Sequence, residues 1–214
     1  MEFLLSLLWN FFHHFRKEKW YKHALISGRI EVLKFFIIFV VMKKFDVHND
    51  TESKFRVLMV CLGNICRSPS AHHVMEHLIE QRGLSHLIEV DSAGTYGGHA
   101  GDLPDPRMRR AARKRGYDLT HRARRVTGSD FDDFDLIVGM DAGNVSDLRM
   151  MAATPDEVAK IDMMGRYIRR FPHYDYVPDP YYEGAEGFEL VLDLLEDACD
   201  NLLDHIVERI EVRN

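Results

Sequence analysis

Cysteine is scarce: the 214 residues hold three, Cys61, Cys66 and Cys199, and no two of them make a CxxC pair. So sparse and odd a set excludes a disulfide scaffold and a structural zinc site of thiolates, and it fits a reducing, cytoplasmic setting. Positive charge is short as well. With 28 basic against 34 acidic residues the net charge is −6, which speaks against a generic nucleic-acid binder, and no nucleic-acid motif is present. Long apolar runs are missing too. Phe3 to Phe12, broken by Ser6 and Asn10, and Phe35 to Met42 both fall short of the roughly 20 residues that a spanning helix needs. A signal peptide would want a basic start and a small-residue cleavage site, whereas Glu2 leads here and no A-x-A follows. No internal repeat or low-complexity tract occurs.

Proline is absent from the first fifty residues, which nevertheless carry both Trp and eight of the 13 Phe, and eight basic against five acidic side chains. The remainder is strongly acidic. One composition does not describe both parts, so the sequence divides into an aromatic-rich extension, residues 1–53, and a domain, residues 54–214. The extension reads as an interfacial membrane anchor, a partner-binding arm, or a stretch outside the working protein. Neither apolar stretch meets the length or amphipathic criteria for a membrane element, so the third reading, a dispensable segment, is preferred to membrane contact. Met42, before Lys43-Lys44, is a candidate alternative initiator.

Within the domain, Phe55 to Val60 is short, apolar and partly β-branched, as a buried strand should be. A helix is expected to begin near Pro69, with Ala71, Val74, Met75, Leu78 and Ile79 on its apolar face and Gly83 at its end. A second strand is expected over Ile88–Asp91, then a basic helix from Pro106 to Gly116, a third buried strand over Asp135–Asp141 and a helix through Leu148. Phe188, Val191, Leu192, Leu195, Cys199, Leu202, Leu203, Ile206 and Ile210 mark one long terminal helix. Strand and helix in alternation predict a single three-layer α/β domain with a central parallel sheet of about four strands flanked by helices.

Ligands in such sheets bind beyond the carboxyl ends of strands, where Cys61 stands. Cys61-Leu62-Gly63-Asn64-Ile65-Cys66-Arg67 has the form C-x₅-R and is followed by Ser68-Pro69. That spacing can wrap backbone N–H groups around one tetrahedral oxyanion, with the next helix aiming its positive end inward. Gly63 is expected to allow close approach or a positive φ. Arg67 can close the ring with a planar two-pronged grip, which Lys lacks. The same amides would stabilise a thiolate on Cys61, and Ser68 could donate a hydrogen bond to it. The plain alternative is an inert buried thiol at a strand end. Asp179, between Pro178 and Pro180, reads equally as a turn residue or as an acid.

Cys61–Pro69 resembles the signature loop of the low-molecular-weight protein tyrosine phosphatases. The resemblance continues through Asp91-Ser92-Ala93-Gly94-Thr95, Pro104-Asp105-Pro106-Arg107, Met140-Asp141 with Asn144, and Val177-Pro178-Asp179-Pro180-Tyr181-Tyr182, over about residues 55–210. It implies a cysteine-dependent phosphoric monoester hydrolase that acts on tyrosine-phosphorylated proteins and small aryl phosphates without cofactor or metal. On that resemblance Cys61 is the nucleophile, Arg67 the phosphate clamp and Asp179 the general acid. Leu62 to Ser68 hold the phosphate, Ser68 partners the thiolate, and Asn64, with His121 as its side-chain partner, holds the loop's strained form. Tyr181 and Tyr182 line the cleft, and Cys66 traps an oxidised Cys61 as a reversible disulfide.

The sequence departs from the family pattern in places. Gly97-Gly98 precede His99 where the family often has a bulky aromatic, so Tyr96 becomes the candidate cleft wall. Ser70, His72 and His73 replace the usual aliphatic and acidic residues, and Glu183 follows the tyrosine pair where Gly is frequent. His73 and His77, four apart on a helix, suit a solvated face better than a metal, since no third ligand is placed by sequence. The arginines from Arg107 to Arg115 read as a solvated face ahead of a docking surface for acidic partners. Arsenate reductases share the fold but need further cysteines. Related protein-arginine phosphatases carry Thr where Ile65 stands. A non-catalytic phosphotyrosine-binding module is the alternative from another class.

Overall fold

A computed structural model describes residues 53–213. The expectations for the N-terminal extension, including Met42 as an alternative start and any membrane contact, lie outside the described residues. Strand β1 (Phe55–Cys61) leads through helix α1 (Arg67–Gln81) to β2 (Ile88–Gly94). Helix α2 (Pro106–Lys114) and the single turn α3 (Asp130–Asp133) follow, then β3 (Leu136–Gly139), α4 (Ala142–Met151), α5 (Pro155–Ala159) and β4 (Ile161–Met163). A 3₁₀ turn over Met164–Tyr167 and helix α6 (Ala185–Arg213) complete the domain.

The four strands form one sheet in the order β2-β1-β3-β4, and every pairing is parallel. Successive strand residues point to opposite faces, and β1 feeds two cores. Val57, Met59 and Cys61 belong to a cluster with Met75 of α1, Met108 of α2 and Leu192, Leu195 and Leu202 of α6. Leu58 and Val60 pack on the other face with Phe131, Phe134, Val145 and Leu148. This is the expected three-layer α/β domain. The fourth strand, which periodicity did not locate, is β4. It is three residues long and, among the described residues, pairs only with β3.

The connectivity puts β2 on one side of β1 and β3 on the other. The strand order therefore reverses at β1, and a crevice opens beyond its carboxyl end, where Cys61 stands. Among the described residues no helix is long and apolar enough to cross a membrane.

Candidate active site

Beyond Cys61 the chain turns back on itself before α1 begins at Arg67. The left-handed conformation that this turn requires falls on Asn64, with φ 55°, the single non-glycine residue of that kind among the described residues. Gly63, expected to allow close approach or a positive φ, has no positive φ, but a Cβ there would lie 3.1 Å from the His99 ring. The glycine the turn depends on is Gly94 at the end of β2. A Cβ there would lie 2.6 Å from the Leu62 carbonyl oxygen and 3.0 Å from the Asn64 nitrogen, so the loop backbone rests directly on Gly94.

Asn64 is fully buried and spends three of its four side-chain hydrogen-bonding positions on holding this shape. Its Nδ2 donates to Ser68 Oγ at 2.9 Å and to Ser92 Oγ at 3.0 Å, and its Oδ1 accepts from the Arg124 amide at 2.9 Å. His121, expected as its side-chain partner, is not among these partners. Both Nδ2 hydrogens are taken by serines, and His121 instead sits with its Nδ1 3.6 Å from Asp91 Oδ1. Burial, more than any charge, holds the His121 imidazole below its ordinary pKa.

Ser68 joins this network to the thiol. Its Oγ lies 3.1 Å from Cys61 Sγ and 3.2 Å from the Ala93 carbonyl. Cys61, Cys66 and Ser68 are all buried. Burial first, then the charges of Asp105 and Cys61, push the Cys66 thiol up, so Cys66 stays protonated. The loop is fastened on its outer side where Asp105 donates its amide to the Ile65 carbonyl at 2.8 Å. Leu62 is exposed at the rim.

Helix α1 starts without a side-chain cap, Cys66 being the cap residue, and with no acid in its first turn. By contrast α2, α4 and α5 are capped by Asp105, Asp141 and Thr154. First-turn N–H groups that lack a side-chain cap are available to an anion.

Arg67 is only 3% exposed, and its guanidinium is divided between two carboxylates. Nη1 donates to Asp141 Oδ2 at 2.5 Å and to the Val177 carbonyl at 3.2 Å, and Nη2 to Asp179 Oδ2 at 2.8 Å. Burial would lower its pKa, but Cys61, Asp179 and Asp141 outweigh burial and keep it charged. Asp141 went unassigned in the sequence as a site residue. It follows β3 and caps α4 by accepting the Asn144 amide at 2.8 Å through Oδ1, which leaves Oδ2 for Arg67. A strand-ending Asp before a helix was the available signal.

Asp179 is 42% exposed at its side chain, on the loop before α6, and its Oδ1 accepts the Tyr181 amide at 3.2 Å. Tyr181 and Tyr182 meet edge to face at 5.0 Å, Tyr181 covers Arg107 at 5.3 Å, and Tyr182 is 93% exposed. Across the crevice Tyr96 hangs from the loop, its amide donating to the Leu62 carbonyl at 2.9 Å. Its ring occupies the space that a Cβ on Gly98 would need, and the His99 ring stands over Gly63. Gly98 thus makes room for the Tyr96 ring, while His99 lies beside it over Gly63.

The expected loop residues and Asp179 converge on one crevice, with a thiol at its base, uncapped helical amides beside it and a buried guanidinium opposite. This arrangement can hold a tetrahedral oxyanion over Cys61 Sγ. The family model described as low molecular weight phosphotyrosine protein phosphatase matches residues 56–212. A Synechocystis relative is 48% identical over 148 residues, covering 69% of this chain and 94% of its own. The Streptomyces coelicolor low molecular weight protein-tyrosine-phosphatase is 44% identical over 160 residues, covering 74% of this chain and 98% of its own. A crystal structure of a protein tyrosine phosphatase from Entamoeba histolytica, with Hepes in its active site, superposes with a TM-score of 0.70 at 41% identity. It covers 72% of this chain and 98% of that one.

Proposed function

The chain belongs to the low molecular weight phosphotyrosine protein phosphatase family, and we propose that it hydrolyses phosphotyrosine in proteins, and small aryl phosphates, through a cysteinyl-phosphate intermediate on Cys61. The observation that carries this reading is the pairing of Cys61 with Ser68 at 3.1 Å opposite the buried, doubly paired Arg67.

The Ser68 hydroxyl has one hydrogen and two acceptors. While Cys61 is a thiol its S–H points to Ser68 Oγ and Ser68 donates to the Ala93 carbonyl. When the thiolate forms, the Ser68 hydrogen turns to sulfur. The thiolate attacks phosphorus in line with the leaving oxygen, the P–S bond forming as the P–O bond breaks. The loop amides and Arg67 meet the equatorial charge, the electrostatic work that dominates phosphoryl transfer. For Arg67 to grip the phosphoryl group it must loosen its bond to Asp179, and the freed carboxyl, once protonated, supplies the proton that the phenolate takes up. Asp179 then accepts a proton from the water that cleaves the P–S bond, and Ser68 again steadies the departing thiolate.

Two finer assignments go with this reading. Peroxide converts the Cys61 thiolate to a sulfenic acid, which condenses with the Cys66 thiol to a disulfide and water. Ile65, where related arginine phosphatases carry Thr, supports an aryl rather than a guanidinium phosphate. We place the enzyme in the cytoplasm on its three free cysteines. Turnover of 4-nitrophenyl phosphate and of a phosphotyrosine peptide, and its loss in Cys61→Ser, tests the function. Phosphopeptide binding without turnover would identify a binding module instead.

A further inference from the structure

Behind the phosphate loop, on the far side of Asn64, three side chains from three elements converge: His72 of α1, Asp91 of β2 and His121 from the segment between α2 and α3. Their ligating atoms lie within 4.8 Å of one another. Asp91 Oδ1 is 3.9 Å from His72 Nδ1 and 3.6 Å from His121 Nδ1. All three are partly buried, and His121 Nε2 is buried with no hydrogen-bond partner. The His72 and His121 rings lie 5.2 Å apart.

We propose that His72, Asp91 and His121 form a binding site for a divalent first-row transition ion, zinc being representative, separate from the phosphate crevice. Two imidazoles and one carboxylate are a donor set that such ions favour, with water as a fourth ligand. Metal–ligand bonds of about 2.0–2.2 Å in tetrahedral geometry space neighbouring ligands roughly 3.3 Å apart. The observed separations therefore need modest side-chain rotation and no rearrangement of the sheet. Burial, ahead of the neighbouring imidazoles, keeps His72 neutral, which is the form that coordinates.

The surroundings set the strength of the site. Arg124 occupies Asp91 Oδ2 through Nε at 3.0 Å and Nη2 at 2.8 Å, orienting the carboxylate so that Oδ1 faces the imidazoles. Its charge opposes a cation, but it is shared with Asp130, 3.0 Å away. His73 does not contribute, because its Nδ1 faces the Pro69 carbonyl and its Nε2 the Thr120 amide. His77, the other member of the pair weighed in the sequence, is bound to Gln81 on the exposed face. Occupancy would reach the loop by one short route. His72 Nδ1 contacts Ser92 Oγ at 3.4 Å, and Ser92 Oγ accepts from Asn64.

The test uses the full chain carrying Cys61→Ser, which removes the competing thiolate, stripped with chelator and titrated with Co²⁺ by visible absorption and with Zn²⁺ by calorimetry. One equivalent is expected, with a raised melting temperature as ion is added, and with affinity weakened at least about 10–100-fold in His72→Gln and in His121→Gln but retained in His77→Gln. Absence of stoichiometric binding in the parent protein, or binding that survives both His72→Gln and His121→Gln, overturns the site. Neither outcome bears on the phosphatase reading, since the parent variant lacks Cys61.

Discussion

Arg67 Nη2 donates to Asp179 Oδ2 at 2.8 Å, so the assigned phosphate clamp and the assigned acid hold each other. Asp141 holds the other arm of the same guanidinium at 2.5 Å. An incoming phosphate must displace one carboxylate, and Asp179, on an exposed loop, is the one free to leave. Asp141 is fixed as the cap of α4.

Asp179→Asn should therefore separate binding from turnover. Removing the carboxylate charge beside Arg67 frees the guanidinium, and inorganic phosphate or vanadate should bind more tightly. Hydrolysis of phenyl phosphate should fall by about 10²–10⁴ for loss of the proton donor. The loss should be smaller for 4-nitrophenyl phosphate, whose phenolate leaves more readily. Inhibition constants and kcat on the two esters check this, and an equal loss on both would remove Asp179 from the acid's role.

Asn64 carries two separable loads, the φ of 55° and three hydrogen bonds. Asn64→Gly keeps the conformation and loses the bonds, whereas Asn64→Ala loses both. Each strained or unsatisfied group costs about 1–3 kcal/mol, so Asn64→Ala should melt below Asn64→Gly, and both below the parent. Turnover should fall in both because Ser68 loses its donor. Melting curves and kcat measure the order, and equal stabilities would mean that the left-handed backbone bears no cost.

Acid should destabilise the domain through His72. Its pKa is lowered from 6.5 to about 3, chiefly by burial and then by His73 and His121. The unfolded chain binds a proton near 6.5 that the folded one refuses, so this stability is present above that pH and is lost as pH falls toward about 3. The slope is at most about 1.4 kcal/mol per pH unit. Denaturation followed between pH 7 and pH 4 should show a steeper decline in the parent than in His72→Gln. Parallel curves would contradict the buried neutral imidazole.

Mild peroxide should produce a Cys61–Cys66 disulfide that thiols reverse, whereas Cys66→Ser should proceed to irreversible sulfinate on Cys61. Peptide mapping and recovery of activity after reduction distinguish these. Full recovery in Cys66→Ser would deny Cys66 its protective part.

What the sequence disclosed was local. Phe55 to Ser68 carries strand, loop and helix start in one continuous stretch, and the long α6 carries its own apolar stripe. β4 escaped because three residues hold no period and its pairing lies with β3, over twenty positions earlier. The supports of the loop were hidden for the same reason. Asn64 bonds residues 28 and 60 positions away, and Arg67 meets Asp141 across 74. Such partners follow from the order of strands, not from spacing along the chain. A positive φ at Gly63 is one of the two readings its residue type allows, and His121 as the partner of Asn64 is what the family resemblance implies. The geometry gave the first task to Asn64 itself and the second to Ser68, Ser92 and the Arg124 amide.

Turnover by the route proposed above passes through a phosphoryl group carried on Cys61. Rapid alkaline quenching of the enzyme during steady turnover of an aryl phosphate, followed by peptide mapping at alkaline pH, checks this. One alkali-stable phosphoryl group is expected on Cys61 in the parent protein, with neither label nor turnover in Cys61→Ser. Turnover that persists in Cys61→Ser, or a phosphoryl group mapped to any other residue, would contradict it.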